Sequence, residues 1–168
     1  MKDLIRANQS LLEQADTLLA DVTDGAYTRG CEACFRSTPG GHLRHILEHY
    51  GNFLEGLSDR KVDYDKRDRE SPVEISVEAA RAEVERLIFA LEEAAQIGPE
   101  EPLTIILDDG GSPRESSSNP ERELQFLLSH SVHHFALIRT ILYLDGHRRF
   151  PEAFGIAPST LRYLATTA

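Results

Sequence analysis

The stretch from Glu121 to Leu144 most constrains the fold, because its apolar residues recur with the period of an α-helix and it carries three of the chain's seven histidines. We therefore predict a buried helix here. His134 lies inside the apolar stripe, His130 lies at its flank, and His133 points away. His130 and His134 are one turn apart on one face, where both can reach a single metal ion. Hydrogen-bonded histidines at a core edge show the same spacing, so a metal site needs a third ligand.

A second band of histidines lies in a predicted helix that runs from Pro39 to about Leu57. Thr38 is suited to cap this helix, and proline is favoured in a first helical turn. The three histidines follow one side of the apolar stripe, where the helix passes from core to surface. By angle, burial alone favours His42 and His49 over His45.

The rest of the chain predicts two more long helices, Asp3 to about Asp21 and Val77 to about Gln96. The residues from Thr23 to Gly41 indicate a loop, and Ser58 to Pro72 a solvated connection. Pro102 to Leu107 suggests a short hairpin or a lone strand, and a short helix is predicted from Ser159 to Leu164. We predict an all-α, up-and-down four-helix bundle in one domain over residues 1–168, with a short β hairpin or strand insertion before the last long helix.

Composition excludes several partners. Eighteen Lys and Arg against twenty-eight Asp and Glu give a formal charge of −10, and the basic residues are scattered, so no nucleic-acid partner is expected. No apolar run reaches the roughly 20 residues that span a bilayer, and the start of the chain is too polar for a signal peptide. We expect a cytoplasmic protein with no membrane partner. The chain is also long enough to fold without a metal. Its two cysteines, Cys31 and Cys34, are spaced CxxC, but the second pair of ligands that a zinc knuckle needs is absent.

Two segments, Thr38 to Tyr50 and Leu127 to Ile138, resemble the signature segments of the DinB/YfiT-like superfamily. The resemblance implies a DinB-like four-helix bundle, commonly dimeric, with one metal ligand from the second helix and two, spaced HxxxH, from a later helix. In that family a hydroxyl residue and a glycine precede the second-helix ligand by seven and five positions, as Thr38 and Gly40 precede His45. The ligands implied are therefore His45, His130 and His134. The family often has Arg-Gly-Gln after the last of these, where this chain has Phe135, Ala136 and Leu137.

We expect from this resemblance a metal-dependent enzyme, favouring an S-transferase that uses a low-molecular-weight thiol on a small-molecule substrate. The ion would be zinc, nickel or iron, which imidazole suits alike. His49 would be an outer-shell base or an alternative ligand, and Glu48 or Asp65 would orient an imidazole. Phe150, Phe154 and Ile156 would either line the pocket or merely cover the end of the bundle. The resemblance also implies a homodimer. The alternatives are a non-catalytic protein that binds metal or a small molecule as a stress protein or sensor, and a histidine-rich core without metal.

Overall fold

The computed structural model describes residues 1–68, 71–108 and 110–167, and the described residues are mainly helical, which confirms the predicted fold class. Four long helices form the body. They are α1 (Lys2–Leu19), α3 (Pro39–Asp59), α4 (Val77–Ala94) and α5 (Pro120–Leu144), with short helices α2 (Asp24–Tyr27) and α6 (Pro158–Thr167) and two 3-10 turns, Glu32–Cys34 and Pro72–Glu74. Within the described residues, no helix combines the length and apolar character needed to cross a membrane.

Helices α3 and α5 begin at side-chain caps. The Thr38 hydroxyl accepts a hydrogen bond from the Gly41 amide at 2.8 Å, and the Asn119 side chain accepts one from the Arg122 amide at 2.8 Å. These bonds satisfy backbone donors that have no partner inside the helix. Proline follows each cap in α3 and α5. Both histidine-bearing helices therefore have starts set by local sequence.

The four helices pack in a ring in which α1 and α3 each contact both α4 and α5. Helices α1 and α3, although consecutive among the long helices, lie across the bundle from one another. Side chains from all four helices meet in the core, with Leu12, Ile46, Leu87 and Leu124 almost fully buried. This order makes α3 and α5 neighbours, so the two bands of histidines face each other.

The β insertion is a hairpin of β2 (Leu103–Asp108) and β3 (Pro113–Ser118), and a third strand, β1 (Lys61–Asp63), pairs in parallel with β2. The sequence analysis placed β1 inside a solvated connection, and that prediction was wrong. Only Val62 in this short strand is apolar, and it is fully buried. Pairing with β2 supplies the hydrogen bonds, so the strand depends on a partner about forty residues away in sequence.

The segment before α3 is tied to the bundle more firmly than a loop prediction implies. Tyr27 in α2 is buried and donates its hydroxyl to the Val73 carbonyl at 2.8 Å. A Cβ atom at Gly40 would lie 2.0 Å from the Glu74 carbonyl oxygen, so only glycine allows this approach. The first turn of α3 is thereby held against the Pro72–Glu74 turn.

The tail residues Phe150 to Ile156 close one end of the bundle. Phe154 is 1% exposed and stacks on Phe135 of α5, with ring centroids 4.2 Å apart. Gly155 has φ +75°, and a Cβ atom there would lie 2.8 Å from the Ala136 backbone. Phe150 packs against the core beneath the Arg139 guanidinium. Phe154 is thus a core residue that covers the end of the bundle, which is the second of the two roles expected for it.

Candidate metal centre

The three predicted ligands come together between α3 and α5. The ring centroids of His45 and His130 are 5.0 Å apart, those of His45 and His134 are 4.7 Å apart, and those of His130 and His134 are 4.5 Å apart. All three side chains are partly buried. His133, which the periodicity pointed away from the core, is exposed.

The closest contact across the helices joins two nitrogens. His45 Nε2 and His130 Nε2 lie 3.1 Å apart. Two imidazoles bound to one tetrahedral zinc ion, each about 2.0–2.1 Å from it, have nitrogens roughly 3.4 Å apart. The observed separation is therefore close to that of two ligands of one ion, and a small rotation of either ring makes it equal.

His49 adds a fourth imidazole to this group. Its side chain is buried, and its Nδ1 lies 2.9 Å from the His45 carbonyl oxygen. A carbonyl only accepts hydrogen bonds, so Nδ1 carries the hydrogen and Nε2 keeps its lone pair. One ligand atom from each of His45, His49 and His130 lies within 4.8 Å of the others. This group contains His45 and His130 but has His49 where the predicted triad has His134.

Ring orientation separates the two triads. The lone pair of a ring nitrogen lies in the plane of the ring, so rings that bind one ion are tilted towards a common point. The predicted ligands are tilted to one another by 57°, 67° and 50°. His49 instead stacks on His130 at 12°, with centroids 4.5 Å apart. These two rings point along parallel planes and do not converge on one ion without rotation.

His42 contacts the cluster from the first turn of α3. Its Nδ1 lies 2.9 Å from His134 Nδ1, and its Nε2 lies 3.0 Å from the Ser37 hydroxyl. Burial had favoured His42 as a ligand, and the family pattern had passed it over. The position of His42 in the histidine band was the only sequence signal for this contact, because Ser37 lies outside any periodic segment.

The electrostatic surroundings keep these imidazoles neutral. Burial, followed by the charges of neighbouring histidines and arginines, lowers the pKa of His45 to about 3. Burial and the charges of the neighbouring histidines lower the pKa of His134 to about 3. Burial, the neighbouring histidines and Arg67 lower the pKa of His49 to about 4. Burial also lowers the pKa of His42 and His130. A metal ion binds the neutral form, so no proton has to be removed at neutral pH.

The two carboxylates considered as partners for an imidazole have other partners. Glu48 accepts hydrogen bonds of 2.7 Å from Arg44, and Asp65 accepts one from the Asp108 amide. The rings pack instead against aromatic side chains. Tyr64 stacks on His49 with centroids 5.1 Å apart, and Phe126 lies 5.3 Å from His130. Sequence reasoning missed both aromatic residues, because neither belongs to a metal-ligand pattern.

Cys31 and Cys34 are free and partly buried in the loop before α3. Burial and the neighbouring Cys31 thiol raise the pKa of Cys34. The described metal-ligand group is made of histidines alone. The Cys34 carbonyl accepts a hydrogen bond from the Ser37 hydroxyl, which also lies 3.0 Å from His42 Nε2.

Comparison with known proteins agrees with the predicted family and fold. The family model described as the DinB superfamily matches residues 9–138. A solved structure of a DinB-like protein, YjoA from Bacillus subtilis, is similar with a TM-score of 0.65 and 15% identity, over 92% of this chain and 99% of that one. At this identity the likeness shows the fold alone. FK506-binding protein 5 from Rhizopus delemar is 34% identical over 106 residues, which are 61% of this chain and 27% of that protein. The match thus spans about a quarter of that relative's length.

Proposed function

The chain belongs to the DinB superfamily, and on that premise we propose that it binds one divalent metal ion, zinc, nickel or iron, through His45, His130 and His134. The observation that carries the proposal is the 3.1 Å approach of the His45 and His130 Nε2 atoms. Imidazole nitrogens at this distance repel each other unless a proton or a metal ion lies between them. His134 supplies a third ring, whose centroid lies 4.7 Å from that of His45 and 4.5 Å from that of His130.

The donor set suits these ions. Neutral imidazole binds zinc, nickel and iron, and three protein ligands leave an open position for an exogenous donor. An ion bound there would lower the pKa of a coordinated thiol or water and so supply a nucleophile at neutral pH. We propose a low-molecular-weight thiol as that donor and a small, partly apolar molecule as the acceptor of an S-transfer. The rings of Tyr64 and Phe126 make the adjoining wall apolar.

A non-catalytic metal-binding protein or sensor is the second candidate, and one observation favours it. A general base works best when its pKa is near the working pH, whereas that of His49 is about 4. The charges that act on His45 and His49 come from other histidines and from arginines, so none raises these pKa values. An enzyme of this design would depend on the metal ion for its chemistry.

Metal content and thiol binding test the proposal in two steps. Protein purified without an affinity tag should contain about one divalent ion per chain by elemental analysis, and a metal-free protein that takes up none would refute metal binding. Cobalt-substituted protein is then titrated with low-molecular-weight thiols. A new thiolate-to-metal charge-transfer band supports the S-transferase. Full cobalt occupancy without a spectral change for any thiol favours the sensor.

A further inference from the structure

A hydrogen-bonded path leads from the loop before α3 into the histidine cluster. The Ser37 hydroxyl lies 2.5 Å from the Cys34 carbonyl oxygen and 3.0 Å from His42 Nε2. His42 Nδ1 lies 2.9 Å from His134 Nδ1. The path therefore ends at Nδ1 of His134, a proposed ligand. The other ring nitrogen, Nε2, is left for a metal ion.

The direction of each bond follows from the groups involved. The Cys34 carbonyl only accepts, so the Ser37 hydroxyl gives its single hydrogen to it. The Ser37 oxygen then accepts from His42, whose Nε2 must carry a hydrogen. In a neutral imidazole the other nitrogen is an acceptor, so His42 Nδ1 receives a hydrogen from His134 Nδ1. The Nε2 atom of His134 is left with a bare lone pair.

We infer that His42, anchored by Ser37, is a positioning residue that holds His134 in the tautomer with hydrogen on Nδ1 and so presents its Nε2 to the metal ion. The inference deepens the proposed function and rests on it. Metal-bound histidines commonly donate their second ring nitrogen to a carboxylate or a carbonyl, which fixes the ring and its tautomer. Here the acceptor is a neutral imidazole.

The anchor is held by the local backbone. The Cys31 amide bonds to the Ser37 carbonyl at 3.0 Å, and the Arg36 amide bonds to the Cys31 carbonyl at 2.9 Å. Phe35 and Arg36 have φ of 56° and 60°, a left-handed conformation that lets the chain reverse within the loop. Ser37 therefore sits at the end of a closed turn, next to the Thr38 cap that begins the helix carrying His42.

The test uses metal-free, 15N-labelled protein at pH 7.5, where long-range proton–nitrogen correlations identify the tautomer of each histidine. In the wild type His134 should show a protonated Nδ1 and an unprotonated Nε2. The His42→Leu variant removes the acceptor, so hydrogen should move from Nδ1 to Nε2 in part of the molecules. Its zinc affinity, measured by competition with a chelator, should fall about 10–100-fold, as outer-shell losses do.

Two further variants make the test specific. In His42→Asn the amide oxygen replaces Nδ1 as acceptor, so the His134 tautomer and most of the affinity should be restored. Ser37→Ala frees the hydrogen of His42 to move to its other nitrogen, so it should lower affinity less than His42→Leu. His133→Ala, an exposed neighbour of the ligand, is the matched control and should change neither quantity. Circular dichroism shows whether each variant folds. If His42→Leu does not fold, the results for His42→Asn and Ser37→Ala decide the outcome.

Two results would overturn the inference. One is an unchanged His134 tautomer in folded His42→Leu. The other is the loss of one imidazole from the metal in His42→Leu, seen by X-ray absorption, which would make His42 a ligand itself. If the wild type binds no metal, the proposed function fails, while the tautomer in the metal-free protein still decides the role of His42.

Discussion

The histidine cluster and a second buried polar group at the start of α5 differ in the kinds of atoms that face each other. Glu123 is 6% exposed, yet both of its carboxylate oxygens accept hydrogen bonds, one from Tyr64 at 2.9 Å and one from Ser118. In the histidine cluster, nitrogens face nitrogens at 2.9 Å and 3.1 Å. We call Glu123, Tyr64 and Ser118 the Glu123 network.

The difference is the one expected between a structural group and the proposed metal site. In the Glu123 network each hydroxyl hydrogen has an acceptor and each carboxylate oxygen has a donor, which is what a stable buried group requires. In the histidine cluster, Nε2 of His49 carries no hydrogen because Nδ1 bonds to the His45 carbonyl, and the inferred tautomer of His134 leaves its Nε2 bare as well. The proposed metal ion would be a partner for such lone pairs. Tyr64 touches both regions, since it donates to Glu123 and stacks on His49.

The largest expected effect is the loss of metal from His130→Ala. We expect affinity to fall more than the about 10–100-fold that follows loss of an outer-shell partner, because a ligand itself is removed. The fold should survive, since a chain of this length does not need a metal to fold. Elemental analysis and circular dichroism measure the two properties. His133→Ala is the control, and equal metal loss in both variants would contradict the ligand assignment.

The next variants compare the two triads. His134→Ala should lose metal nearly as completely as His130→Ala, whereas His49→Ala should keep about one ion per chain. The reason is the 12° stacking of His49 on His130, because one ion cannot lie in the planes of two parallel stacked rings. Metal content after dialysis against a weak chelator gives the answer. Retention by His134→Ala together with loss by His49→Ala would assign the site to the second triad.

Acid should destabilise the metal-free protein through the histidine cluster. The folded-state pKa values of His45 and His134 are about 3, below the value of about 6.5 for an unfolded chain. Between these values the unfolded state binds protons that the folded state does not, so stability falls as the pH is lowered. The contribution is complete above about pH 6.5 and is lost towards pH 3.

Urea unfolding of metal-free protein at pH 7.5 and pH 5 measures this dependence. His134→Gln should lose less stability than the wild type between the two pH values, and His133→Gln should lose as much. An identical loss in all three proteins would place the acid sensitivity elsewhere.

Replacing Glu123 with alanine should weaken the fold and leave the metal site intact. The change leaves the Tyr64 and Ser118 hydroxyls without their acceptor, and an unpaired buried polar group costs about 1–3 kcal/mol. We expect a loss of about 2–3 kcal/mol in the free energy of unfolding, measured with denaturant. Metal bound per folded chain should equal that of the wild type. A large fall in metal content at unchanged stability would mean that the two regions are not distinct.

The smallest expected effect is that of Tyr64→Phe, which removes one hydrogen bond to Glu123 and keeps the ring that stacks on His49. We expect a loss of about 1–2 kcal/mol, since hydrogen bonds to charged groups contribute slightly more than neutral ones. Metal affinity should be unchanged. Tyr64→Leu, which removes the ring as well, tests the stack separately, and a fall in metal affinity only in this variant would assign the ring a role in holding His49.

Much of the fold could be predicted because its signals are local. Thr38 and Asn119 cap their helices with their own side chains, and the proline after each is compatible only with a first helical turn. The strand Lys61–Asp63 could not be predicted, because its hydrogen bonds come from β2 and its residues are mostly charged. The sequence left two roles open for Phe154 for a similar reason, since its burial depends on the approach of the tail to Ala136.

For the site, the sequence by itself determined that the histidines form bands on two helices and that His130 and His134 share a face. Helical periodicity fixes such relations within one helix. Only the tertiary structure decided which rings meet, pairing His45 with His130 and His42 with His134. The reason is physical: the direction of a ring and the hydrogen it carries depend on partners from other segments, such as the Ser37 hydroxyl, which no period in the sequence specifies.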